Sequence, residues 1–566
     1  MRLLPAGDRA LLMELGSLTE VLALFRQVAL HPLDGVSEVV PAARTVLVRF
    51  DPSVVPASRV QAWLQSLGQQ AEMSVRSSAQ RPVATMPCVE IPVHYIGEDL
   101  DEVAQMLQVS RRELIERHVG TAYQAAFAGF APGFVYLSGG DPLLQGVTRR
   151  AVPRTRVPAS SVAIAGGFSA VYPSESPGGW RLLGVTPLKM WDLVRQPPAL
   201  VQPGSCVRFR DLAARHAHVS LPVTPGAAVR DGVASVDPQP APTPGMTSRE
   251  SVNPAAWFEV LSPGAQTLVQ DLGRPGMAAL GVSASGALDR AASAKANRLV
   301  GNSASAAVLE CAWGGLSLVC HGSAVVAVTG APVSVVVATA SGMRLPAAAG
   351  NQLQMRDGQV LRLGRPRAGM RCYVAVLGGW DVPPVLGSRA TDVLASIGPA
   401  PLVRGDRLPV GELGGTALLH PARRPELSSG SLAPGEQAAG VRPEWAAPSP
   451  GSALVLRVLL GPRNAWFDSA SVRRLEEQLW IVTPQSNRVG LRLSGEQPLV
   501  RAHVGELPSE GMVAGALQVP PSGQPVLFLA DHPLTGGYPV VAVVLDEDLD
   551  LLAQASPGMQ LRFKIV

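Results

Sequence analysis

The sequence predicts a mainly β protein with α+β character: a small N-terminal α+β domain followed by several related, glycine-built β units. Three observations carry that expectation. The 566 residues include 57 glycines and 51 prolines, and the apolar runs are short and rich in valine, a pattern of strands and turns. Helical spacing is confined to a few short segments. One phrase also recurs: residues 178–209 run GGW…D…QPGSCVRF and residues 536–563 run GGY…D…QASPGMQLRF. Each copy has a Gly-Gly-aromatic (Gly178, Gly179, Trp180; Gly536, Gly537, Tyr538) and a short apolar run. An Asp placed to cap a short helix follows (Asp192; Asp546 or Asp548), then Pro-Gly turns into a closing Arg-Phe strand. A looser echo begins at Gly378, Gly379 and Trp380 and reaches RGDRLPV at 404–410. Repetition at such long intervals marks duplicated domains rather than a solenoid.

Residues 2–14 and 45–50 read as strands, and 18–29 and 57–68 show helical apolar spacing, which together make a small α+β sandwich. Residues 99–118 form the clearest helix, with Asp99 or Asp101 as cap and acidic residues in the first turn. Short strands broken by Gly and Pro follow up to Phe209. A stretch rich in Pro, Ser and Ala around 219–252 has no periodicity and is a linker, reaching on the order of 30 Å. Beyond it, 257–420 and 453–566 are again β-rich, separated by a second Pro/Gly/Ser stretch at 421–452, with one helix between Ala287 and Val300. The expected organisation is domains at 1–80, 84–216, 255–422 and 451–566, with a linker at 217–254.

Net charge is only +4 and the signs are interspersed, so nothing calls for nucleic acid or an anionic membrane as partner. Lys189, Lys295 and Lys564 are the only lysines. Five scattered cysteines without a CxxC (Cys88, Cys206, Cys311, Cys320, Cys372) read as reduced, mostly buried thiols. Asp8 and Arg9 interrupt the N-terminus before any long apolar run, which does not fit a signal peptide. The most apolar stretch, 316–343, is broken by His321, glycines and Pro332 and fits buried strands. The expectation is a soluble, cytoplasmic chain. No Gly-Lys pair exists, so the standard P-loop is excluded, and there is no HExxH or paired CxxC to cage a metal.

Three polar-glycine blocks remain as candidates for chemistry. The first comprises GFAPGFVYLSGGDP (129–142), PRTRVPASSVAIAGG (153–167) and YPSESPGGWRLLGVTP (172–187), with Arg154 and Arg156 available to grip a carboxylate or phosphate. The same text also fits barrel turns with surface arginines. The second block, 261–302, holds Gln270, Asp271, Arg274, Asp289 and Asn297. As an alternative to ligand binding, Asp289 and Asn297 brace the helix. The third joins PQSNRVGLRL (484–493) to 509–539 and contains Asn487, Arg488, Arg492, Gln518, Asp531 and Thr535. Asp531 follows the apolar run VLFLA and so emerges at the end of a buried strand, a place for a reacting carboxylate or a turn-forming one.

These blocks carry a family resemblance. GFAPGFVYL, VPASSVAIAG and YPSESPGGW resemble the small member of the allophanate-hydrolase-type pair, the B subunit of ATP-dependent bacterial 5-oxoprolinase. PGAQTLVQDLGRPG, SGALDRAASAKANRLVGN, GSRATD, SNRVGLRL and ADHPLTGGYP resemble its large partner, the C subunit. The chain thus resembles a fusion of the two, related to biotin-dependent carboxyltransferases. The resemblance implies cyclophilin-like β-barrels, one in the B half and two in the C half. It implies ATP-driven opening of 5-oxo-L-proline to glutamate, with ATP and its Mg²⁺ as cofactors and a separate A subunit as partner, and it leaves homo-oligomer formation open. On that basis Arg154 and Arg156 are expected to meet anionic groups, Asp192 and Asn487 the lactam amide, and Asp531 a Mg²⁺ ion or a proton. Gly178, Gly179, Gln270, Asp271, Arg274, Asp289, Arg488, Arg492, Gln518, Thr535, Gly536, Gly537 and Tyr538 are expected to shape the substrate and ATP pocket.

Two departures bear on the substrate. The family's SDRMG reads SNRVG here, as in the carboxyltransferase part of urea carboxylases, and its GGxQT reads GGFSA, with Phe168 and Ser169 in polar positions. The alternatives are therefore a urea or amide carboxyltransferase component, although no lysine stands in a Met-Lys-Met context, or a regulatory fusion of a kinase inhibitor with its antagonist.

Overall fold

The N-terminal sheet places Arg2–Pro5, Ala10–Glu14, Thr45–Phe50 and Val36–Pro41 side by side in that order, all antiparallel. This computed structural model describes residues 1–78, 88–214, 256–412 and 452–566, apart from single positions 151, 153, 340 and 504. The linker expected at 217–254 and most of the 421–452 stretch lie outside the described residues. Alternation along the strands gives the sheet two apolar faces. Met13, Val46 and Val48 pack with Val21, Leu24, Val60 and Leu64 of two helices, Leu18–Leu30 and Ala57–Ser78. Leu12, Val40 and Leu47 pack instead on Met512, Leu534 and Val543 of the C-terminal barrel. The small domain is thereby wedged against the far end of the chain.

The helix expected at 99–118 is two helices, Leu100–Met106 and Arg111–Gly120. Gln108 takes a positive φ of 56° between them, and the Ser110 hydroxyl caps the second by accepting from Glu113 N–H at 3.1 Å. Next comes a seven-stranded sheet, ordered Arg181–Val185, Ser161–Ala165, Phe168–Val171, Val135–Ser138, Tyr123–Ala128, Cys206–Asp211, Cys88–Val93. Its ends meet where His94 and Val185 exchange backbone bonds of 2.8 and 2.9 Å, nearly closing a barrel. Cys206 and Cys88 are register partners on adjacent parallel strands and form a disulfide, which corrects the expectation of five reduced thiols. A separation of 118 residues hid the pairing that the register creates. Cys311, Cys320 and Cys372 are free and buried.

Beyond the linker, a six-stranded and a five-stranded sheet share one core built on Phe258, Val260, Leu318, Val326, Val374 and Trp380. The chain passes from Ala256–Pro263 in one sheet to Gln266–Gln270 in the other at Gly264. A Cβ on Gly264 would collide with the Gly314 carbonyl, where the neighbouring strand makes the same passage, so glycine is required. The last unit is a closed barrel of seven strands: Leu454–Leu460, Val540–Val544, Ala516–Gln518, Val526–Phe528, Gly490–Gly495, Trp480–Val482 and Gln560–Ile565. Leu456, Trp480, Leu491, Leu517, Leu527 and Phe563 fill its interior.

Candidate functional site

The turn at residues 6–10, the segment at 284–290 and the barrel segments at 529–532 and 543–549 converge around a cavity of about 120 Å³. Each arrives for a local reason. Residues 6–10 link the first two strands of the wedged sheet. Residues 284–290 lead into the helix Arg290–Val300, and residues 529–532 leave a buried barrel strand. The polar lining comprises Asp8, Arg9, Arg49, Ser285, Arg290, His532 and Asp546. Arg290 bridges two carboxylates, Nη1 to Asp546 at 3.0 Å and Nε to Asp550 at 3.1 Å. Arg9 meets the other Asp546 oxygen at 3.0 Å, and the Asp546 N–H donates to Asp8 at 3.2 Å. Burial raises the Asp8 pKa against the pull of the N–H groups it accepts from. Arg49 leans on Glu38 at 3.4 Å.

His532 supplies a neutral hydrogen-bond acceptor to the cavity. Its Nδ1 lies 2.9 Å from the Pro533 carbonyl, which can only accept, so the proton sits on Nδ1 and Nε2 keeps its lone pair. Among the described residues Nε2 has no partner. Burial pushes the imidazole pKa down to about 4, so the ring is neutral across the physiological range.

Behind the cavity lies a buried ionic junction between the double-sheet unit and the closed barrel. Arg488 is its centre: Nε and Nη2 donate to the two Asp531 oxygens at 3.0 Å each, Nη2 also to the Gly286 carbonyl at 2.7 Å, and Nη1 to Glu310. Glu310 further accepts from Tyr373 Oη at 2.9 Å and Leu288 N–H at 3.0 Å, and Arg371 lies 3.4 Å away. Burial raises the Glu310 pKa, but Arg488 and Arg371 outweigh it and leave the net value low. Asp289 caps the helix through Ala292 N–H at 2.8 Å and accepts from Gln554 Nε2 at 3.0 Å.

Of the residues singled out in the sequence, Asp289, Arg488 and Asp531 belong to this junction, while Gln270, Asp271 and Arg274 hold the neighbouring segment 388–391. Gln270 Nε2 donates to the Thr391 carbonyl at 2.8 Å, and Arg274 to the Ala390 carbonyl. Asp271 accepts from Ser388 Oγ and Arg389 N–H, each at 2.6 Å. Asp531 is fully buried, and its oxygens accept from Arg488, Ser285 and Val393 N–H. That occupancy suits positioning and leaves no oxygen for the expected Mg²⁺ or proton role. Gln518, Thr535, Gly536, Gly537 and Tyr538 form a second group at the seam with the B half. Gln518 donates to the Tyr538 carbonyl at 3.1 Å, and Thr535 packs on Gly129.

The remaining candidates lie elsewhere. Arg154 is held by Glu98 and Asp99 at 3.1 and 2.8 Å, and exposed Arg156 by Glu175 at 2.7 Å. Gly178 sits in a two-stranded ribbon opposite Arg154, and the Gly179 carbonyl accepts from Arg150 N–H. Asp192 caps no helix: its Oδ1 closes a turn on Val194 N–H at 3.0 Å. Exposed Asn487 does the same on Val489 N–H at 2.9 Å, and Arg492 is exposed on its strand. Among the described residues, no group of three or more His, Cys, Asp or Glu is placed to hold a metal. These residues do not fit an ATP site. The two arginines expected to take phosphate are already paired with carboxylates, and the cavity is too small for a nucleotide. Sequence reasoning missed Asp8, Arg9, Arg290, Ser285 and His532. For Ser285 and His532 the signal lay in or beside quoted motifs, SGALDR and ADHPLTGGYP, as polar residues close to residues already chosen.

Comparison with known proteins follows the same division. Residues 1–201 match the family model described as carboxyltransferase domain, subdomain C and D, and residues 280–565 match subdomain A and B. The chain is 38% identical to the 5-oxoprolinase C subunit of Escherichia coli (strain K12) over 54% of this chain and 90% of that protein. It is 34% identical to the 5-oxoprolinase B subunit of Bacillus subtilis (strain 168) over 33% of this chain and 80% of that protein. Urea amidolyase of Lachancea kluyveri is 33% identical over 54% of this chain, which spans 17% of that protein. The crystal structure of TTHA0988 superposes with a TM-score of 0.76 at 33% identity, covering 98% of this chain and 99% of that one.

Proposed function

The chain belongs to the carboxyltransferase-domain family, with subdomains C and D preceding A and B in one polypeptide. From that premise we propose that it is the fused B and C component of an ATP-dependent 5-oxoprolinase. It opens 5-oxo-L-proline to L-glutamate together with a separate A subunit. The observation that carries this reading is the tandem match to a B and then a C subunit, each over most of the relative's length. ATP, with Mg²⁺, would supply the activation that makes the lactam carbonyl a competent electrophile. The residues present do not form a nucleotide site, so no step is assigned to them through it.

The chain's own contribution is the cavity. Its size suits one small ring. Arg9, Arg49 and Arg290 line it already paired with Asp546, Glu38 and the Asp546–Asp550 pair, so a substrate carboxylate would have to compete with those acids. His532, in its lining, offers Nε2 as a neutral hydrogen-bond acceptor. The decisive experiment mixes the purified chain with a candidate A subunit and measures ADP and glutamate release with saturating 5-oxoproline. Lactam-dependent release of both is expected, and no lactam-dependent ADP would sink the reading. The match to urea amidolyase and the Asn487 departure favour a second reading, a urea or amide carboxyltransferase component. Turnover dependent on urea and on an added biotinylated carrier, with none on the lactam, is the result that would select it.

A further inference from the structure

We infer that Ser285 is a specificity residue that touches the ligand, offering a fixed hydrogen-bond acceptor to a ligand N–H. Ser285 stands where the buried junction reaches the cavity. It is half-buried and lines the cavity. Its hydroxyl donates to Asp531 Oδ1 at 2.6 Å, with the Thr391 carbonyl 3.3 Å away as the alternative acceptor. Both groups accept only, so the hydroxyl proton is committed to the protein. The lone pairs of Oγ are then the only function left for a ligand, and they select a donor.

The donor–acceptor sense is locked from behind. Asp531 is fixed in place because Arg488 pairs with both its oxygens, and Glu310 and the Gly286 carbonyl hold Arg488 in turn. The backbone agrees. Ser285 has φ +54°, a left-handed conformation uncommon outside glycine, followed by Gly286 at φ +99°. Such strain is kept where surrounding contacts over-determine it, and it concentrates at ligand-facing positions.

The inference rests on the proposed lactam reading, where the N–H in question is that of the ring amide. The cavity should then separate a lactam from the lactone of the same shape, whose ring oxygen would face the Ser285 lone pairs. The full chain is titrated calorimetrically with 5-oxo-L-proline and with the isosteric γ-lactone acid, for the native protein, Ser285→Ala and Ser285→Gly. The second variant removes the hydroxyl while relieving the positive φ, and far-UV circular dichroism checks that each variant is folded. The native chain is expected to prefer the lactam about tenfold or more, the effect of one desolvated hydrogen bond against an unpaired acceptor. Both variants are expected to bring the two ligands to within about threefold. A merely structural role would weaken both ligands alike and keep the preference. Native-like preference in either folded variant overturns the inference and leaves the lactam reading intact. A native chain that binds neither ligand overturns both.

Discussion

Arg488 is 2% exposed, yet each of its guanidinium nitrogens has a partner. Burial alone would lower its pKa, and the Asp531 and Glu310 carboxylates reverse that, so it stays charged. Two acids and two guanidiniums, Arg371 being the second, therefore share one buried junction. Such a network adds little net stability when complete, and breaking it is costly because the remaining charges stay buried. Arg488→Met is expected to destabilise the C half by about 3–5 kcal/mol, measured as a lowered denaturant midpoint followed by tryptophan fluorescence. Adding Glu310→Gln should restore part of the loss by removing one stranded charge. A single mutant within about 1 kcal/mol of native would show that the junction is solvated. Asp531 belongs to the same unit, which is why its role is to hold Ser285 and the loop at Val393 in place.

The helix Arg290–Val300 ties that junction to the cavity through its first turn, since Asp289 caps it and Arg290 faces the cavity. Burial raises the Asp289 pKa from 3.8 to about 6. The folded state thus holds this proton more tightly than the unfolded one. Its contribution to stability is full below about pH 4 and is lost as pH rises through about 6, a swing on the order of 3 kcal/mol at most. Asp289→Asn keeps the capping oxygen, but its amide would face Gln554 Nε2, so absolute stability is a poor readout. The expected result is that the fall in unfolding free energy between pH 4 and 7 is shallower in the variant by up to that amount. Parallel pH curves would place the titration on another group, such as Asp392, whose pKa is also about 6. The cap shows what sequence makes legible. Asp289 stands immediately before a periodic helix, so its bracing role was readable as an alternative, whereas Gln270, Arg274 and Arg488 sit in polar-glycine text that marks them as candidates without showing that they are buried. Arg154 was misread because its partners Glu98 and Asp99 lie 56 and 55 positions away. Asp192 and Asn487 look the same in sequence whether they meet a ligand or their own turn. The cavity drew no notice because the turn at 6–10 carries no motif.

At the scale of the whole molecule, the repeated phrase acquires a structural meaning. In both full copies the closing Arg-Phe strand pairs parallel with the first strand of its unit, Cys206–Asp211 with Cys88–Val93 and Gln560–Ile565 with Leu454–Leu460. The looser echo ends on Arg407–Pro409, which pairs antiparallel with Ala256–Pro263. It is a different closure. The two matching units also meet. Arg149 of the B half reaches Glu506 at 3.0 Å and Ser509 at 3.3 Å, and buried Gly129 lies directly on Thr535. If the site needs both halves closed on it, disturbing this seam should impair function without unfolding either half. A side chain at 129 would run into Thr535, which is 2% exposed and has nowhere to retreat. Gly129→Val is therefore expected to prise the halves apart. Small-angle scattering should report a larger radius of gyration with an unchanged far-UV spectrum, and lactam-dependent turnover should fall at least about tenfold through lost positioning. Gly146→Val, also in the B half but with open space around it, is the control and should leave both measurements at native values. Native scattering and native turnover in Gly129→Val would mean that the seam yields without consequence and that the site does not depend on the fusion's closed arrangement.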